Sequence, residues 1–246
     1  MTPEDRVRFV VKWIKNYCDS LDKSTVTLVV GVSGGIDSAI ASTLSAKTGL
    51  KTIAVSMPIK QNQDQHDLSL RHLKWLENNF DNIETKIISL DDIFGAFHNA
   101  MKEFDSELAF ANSRSRLRMV TLYQIAQSSQ GLVVGTGNKV EDFGIGFFTK
   151  YGDGGVDIAP IADCTKTEVW EMGNSLSIIE DIINAKPTDG LWNDNRNDEE
   201  QIGLTYKQIE EAMNDNSSKY YTEYLKIRKK NLHKMKPIPV CKFRES

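Results

Sequence analysis

The sequence has few of the features that mark membrane, secreted or nucleic-acid-binding proteins. Its three cysteines are odd in number and far apart, so no disulfide framework is expected. No apolar run approaches the roughly 20 residues of a membrane-spanning helix, and residues 1–10 lack the apolar stretch of a secretory signal. The 30 Lys and Arg residues are outnumbered by 34 Asp and Glu, which argues against general nucleic-acid binding. We therefore expect a cytoplasmic enzyme or binding domain, with neither a membrane nor a nucleic acid as partner.

Short β-branched runs alternate with helical patterns along the chain, which has 246 residues, enough to bury a sizeable core. Buried strands are predicted at 26–30, 52–55, 83–90 and 132–134. Helices are predicted at 4–19, 37–46, 63–79, 165–173 and 206–213. Strands separated by helices are typical of right-handed βαβ units, so we predict an α/β fold with a doubly wound, mostly parallel sheet and helices on both faces. Without an internal repeat, residues 1–246 are predicted to form one domain, in which 135–160 lacks a long helix and 186–200 is a mobile loop.

The segment GVSGGIDS at 31–38 follows the first predicted strand and opens a helix. Ligands of open parallel sheets bind beyond the carboxyl ends of the strands. Glycines allow a close backbone approach, and a helix N-terminus offers free N–H groups to an anion such as phosphate. The candidate phosphate-binding residues are Gly31, Ser33, Gly34, Gly35 and Ser38.

This segment fits neither of two familiar phosphate-binding patterns. No lysine follows the glycines, which excludes a Walker A loop, and Ser33 interrupts the three spaced glycines of a dinucleotide-binding loop. Asp37 at the helix start would repel phosphate unless a cation such as Mg²⁺ lay between them. The alternative is an ordinary glycine turn in which Asp37 and Ser38 only cap the helix, but all six positions together directly after a strand favour the nucleotide site.

The segment resembles the Ser-Gly-Gly-x-Asp-Ser pyrophosphate-binding loop of the N-type ATP pyrophosphatases. This superfamily includes synthetases for NAD, GMP, asparagine and argininosuccinate, together with tRNA-modifying enzymes. The resemblance implies an adenine nucleotide alpha hydrolase-like fold. It also implies cleavage of ATP between its α and β phosphates with adenylation of an oxygen, and it leaves the substrate open.

A second segment narrows the range of possible substrates. GTGNKVE at 135–141 and GFFTKYGDGGVDIAP at 146–160 resemble the ammonia-dependent NAD synthetases, in which FFTKYGDGG recurs almost letter for letter. The resemblance extends over about residues 5–240. It implies an ATP- and Mg²⁺-dependent amidation of deamido-NAD (nicotinic acid adenine dinucleotide) by ammonia, which gives NAD, AMP and pyrophosphate through an acyl adenylate. Because the resemblance covers nearly the whole length, we expect no glutaminase domain and free ammonia as the donor, although a separate glutaminase subunit stays open as the ammonia source.

The resemblance also implies residue roles. Asp37 and Glu141 would hold Mg²⁺ and, with Lys166 and Asp157, form the catalytic set. ATP would also contact Thr136, Lys166 and Thr188. Deamido-NAD would be bound by Arg116, Lys150, Asp157, His233 and Lys234. Family members look like homodimers with the dinucleotide across the interface, so some of these residues would serve the neighbouring subunit's site.

Several alternatives stay open at this point. Either Asp153 or Asp157 could take the proton from ammonium. Ser56 stands where the family commonly has an arginine near the adenine, which leaves Lys60 or Gln63 to contact the nucleotide.

Other readings of the function and of one basic segment also stay open. The arginines at 114, 116 and 118 could be a solvated basic helix face. The chain could also be another adenylating enzyme, such as a GMP synthetase or a tRNA thiolase, or a non-catalytic nucleotide-binding sensor.

Overall fold

The alternating strands and helices build a four-stranded parallel sheet. The computed structural model describes residues 1–22, 26–60, 63–188, 190–191 and 197–243. The strands within these ranges are β1 (Thr27–Gly31), β2 (Thr52–Ser56), β3 (Ile83–Ile87) and β4 (Gly131–Val134). They lie in the order β3-β2-β1-β4, and every neighbouring pair is parallel.

Helices connect the strands and continue after the last one. The α-helices are α1 (Pro3–Asp19), α2 (Ile36–Lys47), α3 (Gln63–Asn79), α4 (Asp91–Ala100), α5 (Glu107–Ser128), α6 (Lys166–Ser175), α7 (Glu180–Asn184), α8 (Asp198–Ile202), α9 (Tyr206–Asn214) and α10 (Tyr221–Met235). A short 3₁₀ turn spans Lys102–Phe104, and a π-helix spans Lys139–Ile145. Within the described ranges, no helix is both long and apolar enough to cross a bilayer.

The sheet is covered on both faces, which confirms the predicted fold class. Helices α1, α2 and α6 pack against one face around fully buried side chains such as Ile14 and Leu44. Helices α4 and α5 cover the other face, where Phe94 and Phe110 pack edge to face. A third apolar cluster, which includes Val140 and Ile209, joins the π-helix to α9 and α10 beyond the sheet.

Two predictions about individual elements are wrong. The run 83–90 is predicted as a buried strand, but β3 ends at Ile87 and its residues are half-buried or exposed. Among the described strands it pairs only with β2, at the edge of the sheet. The run 186–200 is predicted as a loop throughout, but α8 begins at Asp198, where Asn197 caps it. Residues 189 and 192–196 of that run lie outside the described residues.

The strand order creates a crevice. The chain runs outward from β1 through β2 to β3, then returns to place β4 on the opposite side of β1. Connections that leave β1 and β4 therefore diverge at the carboxyl ends of these two strands, which is where ligands bind in such sheets. The segments 31–38 and 135–141 meet at this point.

One buried histidine makes the stability of the fold depend on pH. His72 of α3 is fully buried, its Nε2 atom lies 3.0 Å from the Ser42 hydroxyl of α2, and its ring stacks on Trp75. Burial lowers the pKa of His72 to about 4. The folded chain therefore holds this imidazole neutral at pH values where the unfolded chain protonates it.

We expect the free energy of unfolding to fall as the pH drops from about 6.5 towards 4, because the unfolded state binds more protons in that window. The contribution of His72 is a loss of about 2 kcal/mol between pH 7 and pH 5. The variant His72→Gln should lose this part of the pH dependence in urea unfolding at the two pH values. His98→Gln, at an exposed position of α4, is the control and should keep the full dependence. An unchanged slope in the His72 variant would contradict the prediction.

Candidate active site

A cavity of about 810 Å³ opens at the carboxyl ends of β1 and β4. The loop 31–38 and the turn 135–137 form its floor, while α5, the π-helix and residues 146–156 form its walls. Residues 185–188 and 190–191 also line it. The cavity thus lies at the place that the strand order predicts.

The loop 31–38 presents backbone to the cavity. Gly34 has a φ of +90°, and a Cβ atom there would lie 2.5 Å from the carbonyl oxygen of Gln65. The Ser33 N–H donates to the Ser38 hydroxyl, which in turn donates to the Gly35 carbonyl. Gly35 is the N-cap of α2 and provides no side-chain cap. Asp37 and Ser38 therefore do not act as N-caps, and the start of α2 offers N–H groups to an anion.

Two half-buried carboxylates converge on one buried ammonium group at the floor of the cavity. The Nζ atom of Lys166 lies 2.5 Å from Oδ2 of Asp37 and 2.9 Å from Oε1 of Glu141. Lys166 is only 2% exposed, so its charge would be costly to bury without these partners. Burial alone would lower the pKa of Lys166, but the two carboxylates raise it above its ordinary value. Burial likewise opposes ionisation of Glu141, yet Lys166 and a hydrogen bond from Tyr206 lower the pKa of this carboxyl.

Two further residues hold this cluster, and the sequence-based predictions missed both. Asn138 caps the π-helix: its Oδ1 accepts from the N–H groups of Val140 and Glu141, while its Nδ2 donates to Asp37 at 3.1 Å. The hydroxyl of Tyr206 donates to Oε1 of Glu141 at 2.6 Å. A cap residue just before Glu141 could have been recognised from its type. Tyr206 lies 65 residues away in the chain and gives no local signal.

The donor set fits a divalent cation that prefers oxygen. Asp37 and Glu141 already share one positive charge, that of Lys166. Across the described ranges, no group of three or more His, Cys, Asp or Glu side chains is placed to hold a metal. Mg²⁺ is usually bound by one or two carboxylates, and substrate phosphates and water complete its coordination shell. Asp37 and Glu141 are therefore the residues that could hold it.

The cavity contains two more carboxyl groups on its wall. Oδ1 of Asp153 accepts hydrogen bonds from the Ser115 hydroxyl at 2.7 Å and from the Thr149 N–H at 3.0 Å. Asp142, beside Glu141, also lines the cavity. Burial, followed by the charges of Glu141, Asp153 and Asp37, raises the pKa of Asp142 to about 8. No motif or spacing in the sequence singles out Asp142.

The predicted ATP contacts lie together. Thr136, Lys166 and Thr188 all line the cavity with the loop 31–38. Ser56 does not: it is buried, with its hydroxyl 2.9 Å from that of Ser69. Lys60 lines the cavity, whereas the side chain of Gln63 lies outside the described part of the structure.

The three arginines of α5 have different environments, so a uniformly solvated helix face is wrong. Arg114 is 9% exposed and donates to the Leu191 carbonyl at 2.7 Å. Arg118 lines the cavity and donates to the Met57 carbonyl at the end of β2. Arg116 is exposed.

Four of the five predicted deamido-NAD residues lie close together. Arg116 donates to the Lys150 carbonyl, and the Nζ of Lys150 lies 3.4 Å from the His233 carbonyl. Lys234 reaches the cavity wall, where it donates to the Phe148 carbonyl at 2.7 Å.

Asp157 is not brought to this cavity. Its carboxylate accepts from the Val133 N–H at 2.8 Å and from the Tyr123 hydroxyl at 3.1 Å. It lies beside β4 because the chain at Ile158 runs parallel to Val134. Within this chain, therefore, Asp157 is separated from the predicted catalytic group that Asp37, Glu141 and Lys166 form.

Comparison with known proteins identifies the family. The chain matches the family model for NAD synthase over residues 6–245. An ammonia-dependent NAD synthetase of Carboxydothermus hydrogenoformans is 37% identical over 246 residues, with 96% of each chain covered. Among solved structures, an NMN synthetase from Francisella tularensis superposes with a TM-score of 0.90 at 33% identity, covering 99% of this chain and all of that one. An ammonia-dependent NAD synthetase from Campylobacter jejuni gives a TM-score of 0.78 at 26% identity, covering 98% and 100%.

These matches extend over nearly the whole chain. They confirm the resemblance found in the sequence and the expectation of an enzyme. The chain belongs to the NAD synthase family and is an enzyme of the ammonia-dependent NAD synthetase type.

Proposed function

We propose that this protein uses ATP and Mg²⁺ to amidate deamido-NAD with ammonia, giving NAD, AMP and pyrophosphate through an acyl adenylate. The observation that carries the proposal is the placement of Asp37, Glu141 and Lys166 beside the phosphate-binding loop in a chain of this family. ATP would occupy the loop 31–38, with its phosphates near the start of α2.

The chain's own charges suit this reaction. A carboxylate that attacks the α-phosphorus meets an anion, so the site must supply positive charge. Mg²⁺ held by Asp37 and Glu141 would neutralise phosphate oxygens. With its carboxylates engaged in that way, the ammonium of Lys166 is available to stabilise the pyrophosphate that departs.

Amide formation requires the loss of a proton from the incoming nitrogen. Ammonia attacks the carbonyl carbon of the acyl adenylate, the bond to the AMP oxygen breaks, and a proton must leave the nitrogen. We assign the role of proton acceptor to Asp153 and not to Asp157. Asp153 lines the cavity, whereas the Asp157 carboxylate is held beside β4 by Val133 and Tyr123. The hydrogen bonds from Ser115 and Thr149 fix the orientation of Asp153.

One observation favours a second candidate substrate. The superposition on the Francisella tularensis NMN synthetase, with a TM-score of 0.90, exceeds that on the Campylobacter jejuni NAD synthetase, at 0.78. The same amidation chemistry applied to nicotinic acid mononucleotide would give NMN. Both substrates carry the same reacting carboxylate, so the cluster around Lys166 suits either.

The assembly and location follow from the same proposal. We infer a homodimer, because Arg116 and His233 are exposed outside the cavity. In a dimer, these two side chains could contact the substrate that is bound to the second chain. We also infer one catalytic domain and a cytoplasmic location, which agrees with three cysteines that are all free thiols.

The substrate is tested by incubating the purified protein with ATP and Mg²⁺ and measuring pyrophosphate release and amide formation. We expect turnover with deamido-NAD and ammonium, and much less with glutamine in place of ammonium. Faster turnover with nicotinic acid mononucleotide would select the second candidate. Turnover only with xanthosine monophosphate would assign a GMP synthetase, and pyrophosphate from none of these acids would favour a nucleotide sensor.

Asp37→Asn and Glu141→Gln should each lower kcat by about 10²-fold or more, because each removes a charge that holds the cation against the phosphates. Circular dichroism spectra that match that of the wild type would show that the fold is intact. Asp163→Asn is the control, because its carboxylate is almost fully exposed and pairs only with Lys139 among described residues. Activity near the wild-type level in either cluster variant would refute its metal role.

Analytical ultracentrifugation tests the assembly. We expect a sedimenting mass of two chains at micromolar concentration, and no loss of that mass in Asp37→Asn, because Asp37 lies inside the cavity. A species of one chain that remains fully active would contradict the inferred dimer.

A further inference from the structure

A tyrosine lies behind the carboxylate–lysine cluster, where none of the proposed catalytic steps uses it. Tyr206 is the first residue of α9 and is 1% exposed. Its hydroxyl oxygen lies 2.6 Å from Oε1 of Glu141 and 3.1 Å from Oδ2 of Asp198. Two carboxylates therefore compete for one phenolic group.

The geometry indicates which carboxylate receives the hydrogen bond. A phenol carries one proton, so it can donate to only one of the two oxygens at a time. The contact with Glu141 is the shorter and lies in the range of about 2.5–2.7 Å that is typical of a hydroxyl donating to an ionised carboxylate. The hydroxyl of Tyr206 thus donates its hydrogen bond to Glu141.

The ring and backbone of Tyr206 are both held in place. The ring packs edge to face on Trp170, and the Nζ of Lys166 lies 4.8 Å from its centroid. The backbone N–H donates to Oε1 of Glu199 at 2.9 Å, and Thr205 with Gln208 forms a capping box at the start of α9. The hydroxyl therefore has little freedom to follow a displaced Glu141.

We propose that Tyr206 is a positioning residue for the cation site: its hydroxyl fixes the Glu141 carboxylate so that Glu141 and Asp37 face the same cation. This inference rests on the proposed function, because it assumes that the two carboxylates hold a metal. Residues that hydrogen-bond to metal ligands from behind commonly change metal affinity by about 10- to 100-fold. Tyr206 also contacts Lys166, so it orients two of the three charged groups of the cluster.

The test is a titration with Mn²⁺, followed by electron paramagnetic resonance, in the presence of saturating α,β-methylene-ATP. Tyr206→Phe removes one oxygen and keeps the ring against Trp170. We expect it to weaken Mn²⁺ binding about 10-fold or more and to raise the Mg²⁺ concentration for half-maximal turnover in parallel. The KM for ATP at saturating Mg²⁺ should change much less, which a general loss of structure would not produce.

Tyr224→Phe is the matched control. Tyr224 is buried in the same apolar cluster, but its hydroxyl makes no hydrogen bond with the described residues. Its Mn²⁺ affinity should equal that of the wild type. A folded Tyr206→Phe protein with wild-type Mn²⁺ affinity would overturn the inference.

A second variant keeps the inference testable if Tyr206→Phe does not fold. Asp198→Asn removes the competing charge and leaves the bond between Tyr206 and Glu141, so Mn²⁺ affinity should stay within about twofold of the wild type. A loss of tenfold or more in Asp198→Asn would assign the effect to Asp198 and overturn the inference. Failure of the proposed function would give a different result. The wild-type protein itself would then bind no Mn²⁺ in the presence of the ATP analogue and would release no pyrophosphate from ATP.

Discussion

The burial of one ammonium group between two carboxylates is the interaction on which the site depends. Lys166, Asp37 and Glu141 come from α6, α2 and the π-helix, and each of these charges would be unfavourable inside the protein without the others. The fold must therefore bring three distant segments to the same point. The return of the chain from β3 to β4 does this, because it places the loops after β1 and β4 side by side.

The same cluster links structure to chemistry. One ammonium offsets part of the negative charge of the two carboxylates and reduces the repulsion between them, so Asp37 and Glu141 can lie close together when no cation is bound. The chain of contacts continues outward through Asn138, which ties Asp37 to the first turn of the π-helix, and through Tyr206, which ties Glu141 to α9. The third apolar cluster, outside the sheet, is thereby connected to the charged cluster of the candidate site.

Much of this arrangement could be predicted from the sequence, because the informative signals were local. Alternating β-branched runs and helical periods gave the parallel sheet and its covering helices. The segment 31–38 placed Asp37 at a helix start after a strand. The predictions also included Glu141 and Lys166, but only through resemblance to a family, since no spacing rule relates residues 25 apart that meet in space.

The remaining features depend on tertiary structure and could not be predicted in this way. An edge strand such as β3 has the same residue types as a central one, so its exposure follows only from the strand order. Asp157 is of a residue type that is common in active sites, yet its hydrogen bonds to β4 and α5 hold its carboxylate away from the cavity. Arg114 is a charged residue, but it packs over the Phe94 ring and donates to the Leu191 carbonyl. The second contact joins residues that are 77 positions apart in the chain.

The close approach at Gly34 ties the loop 31–38 to the position of α3. The loop 31–38 packs directly on α3 at Gly34, since even a methyl group there would collide with the Gln65 carbonyl oxygen. The distance between this loop and the axis of α3 is therefore tightly constrained. Substitutions in the hydrophobic interface beneath α3 that move the helix by a fraction of an ångström would therefore shift the loop 31–38 without changing any residue of that loop.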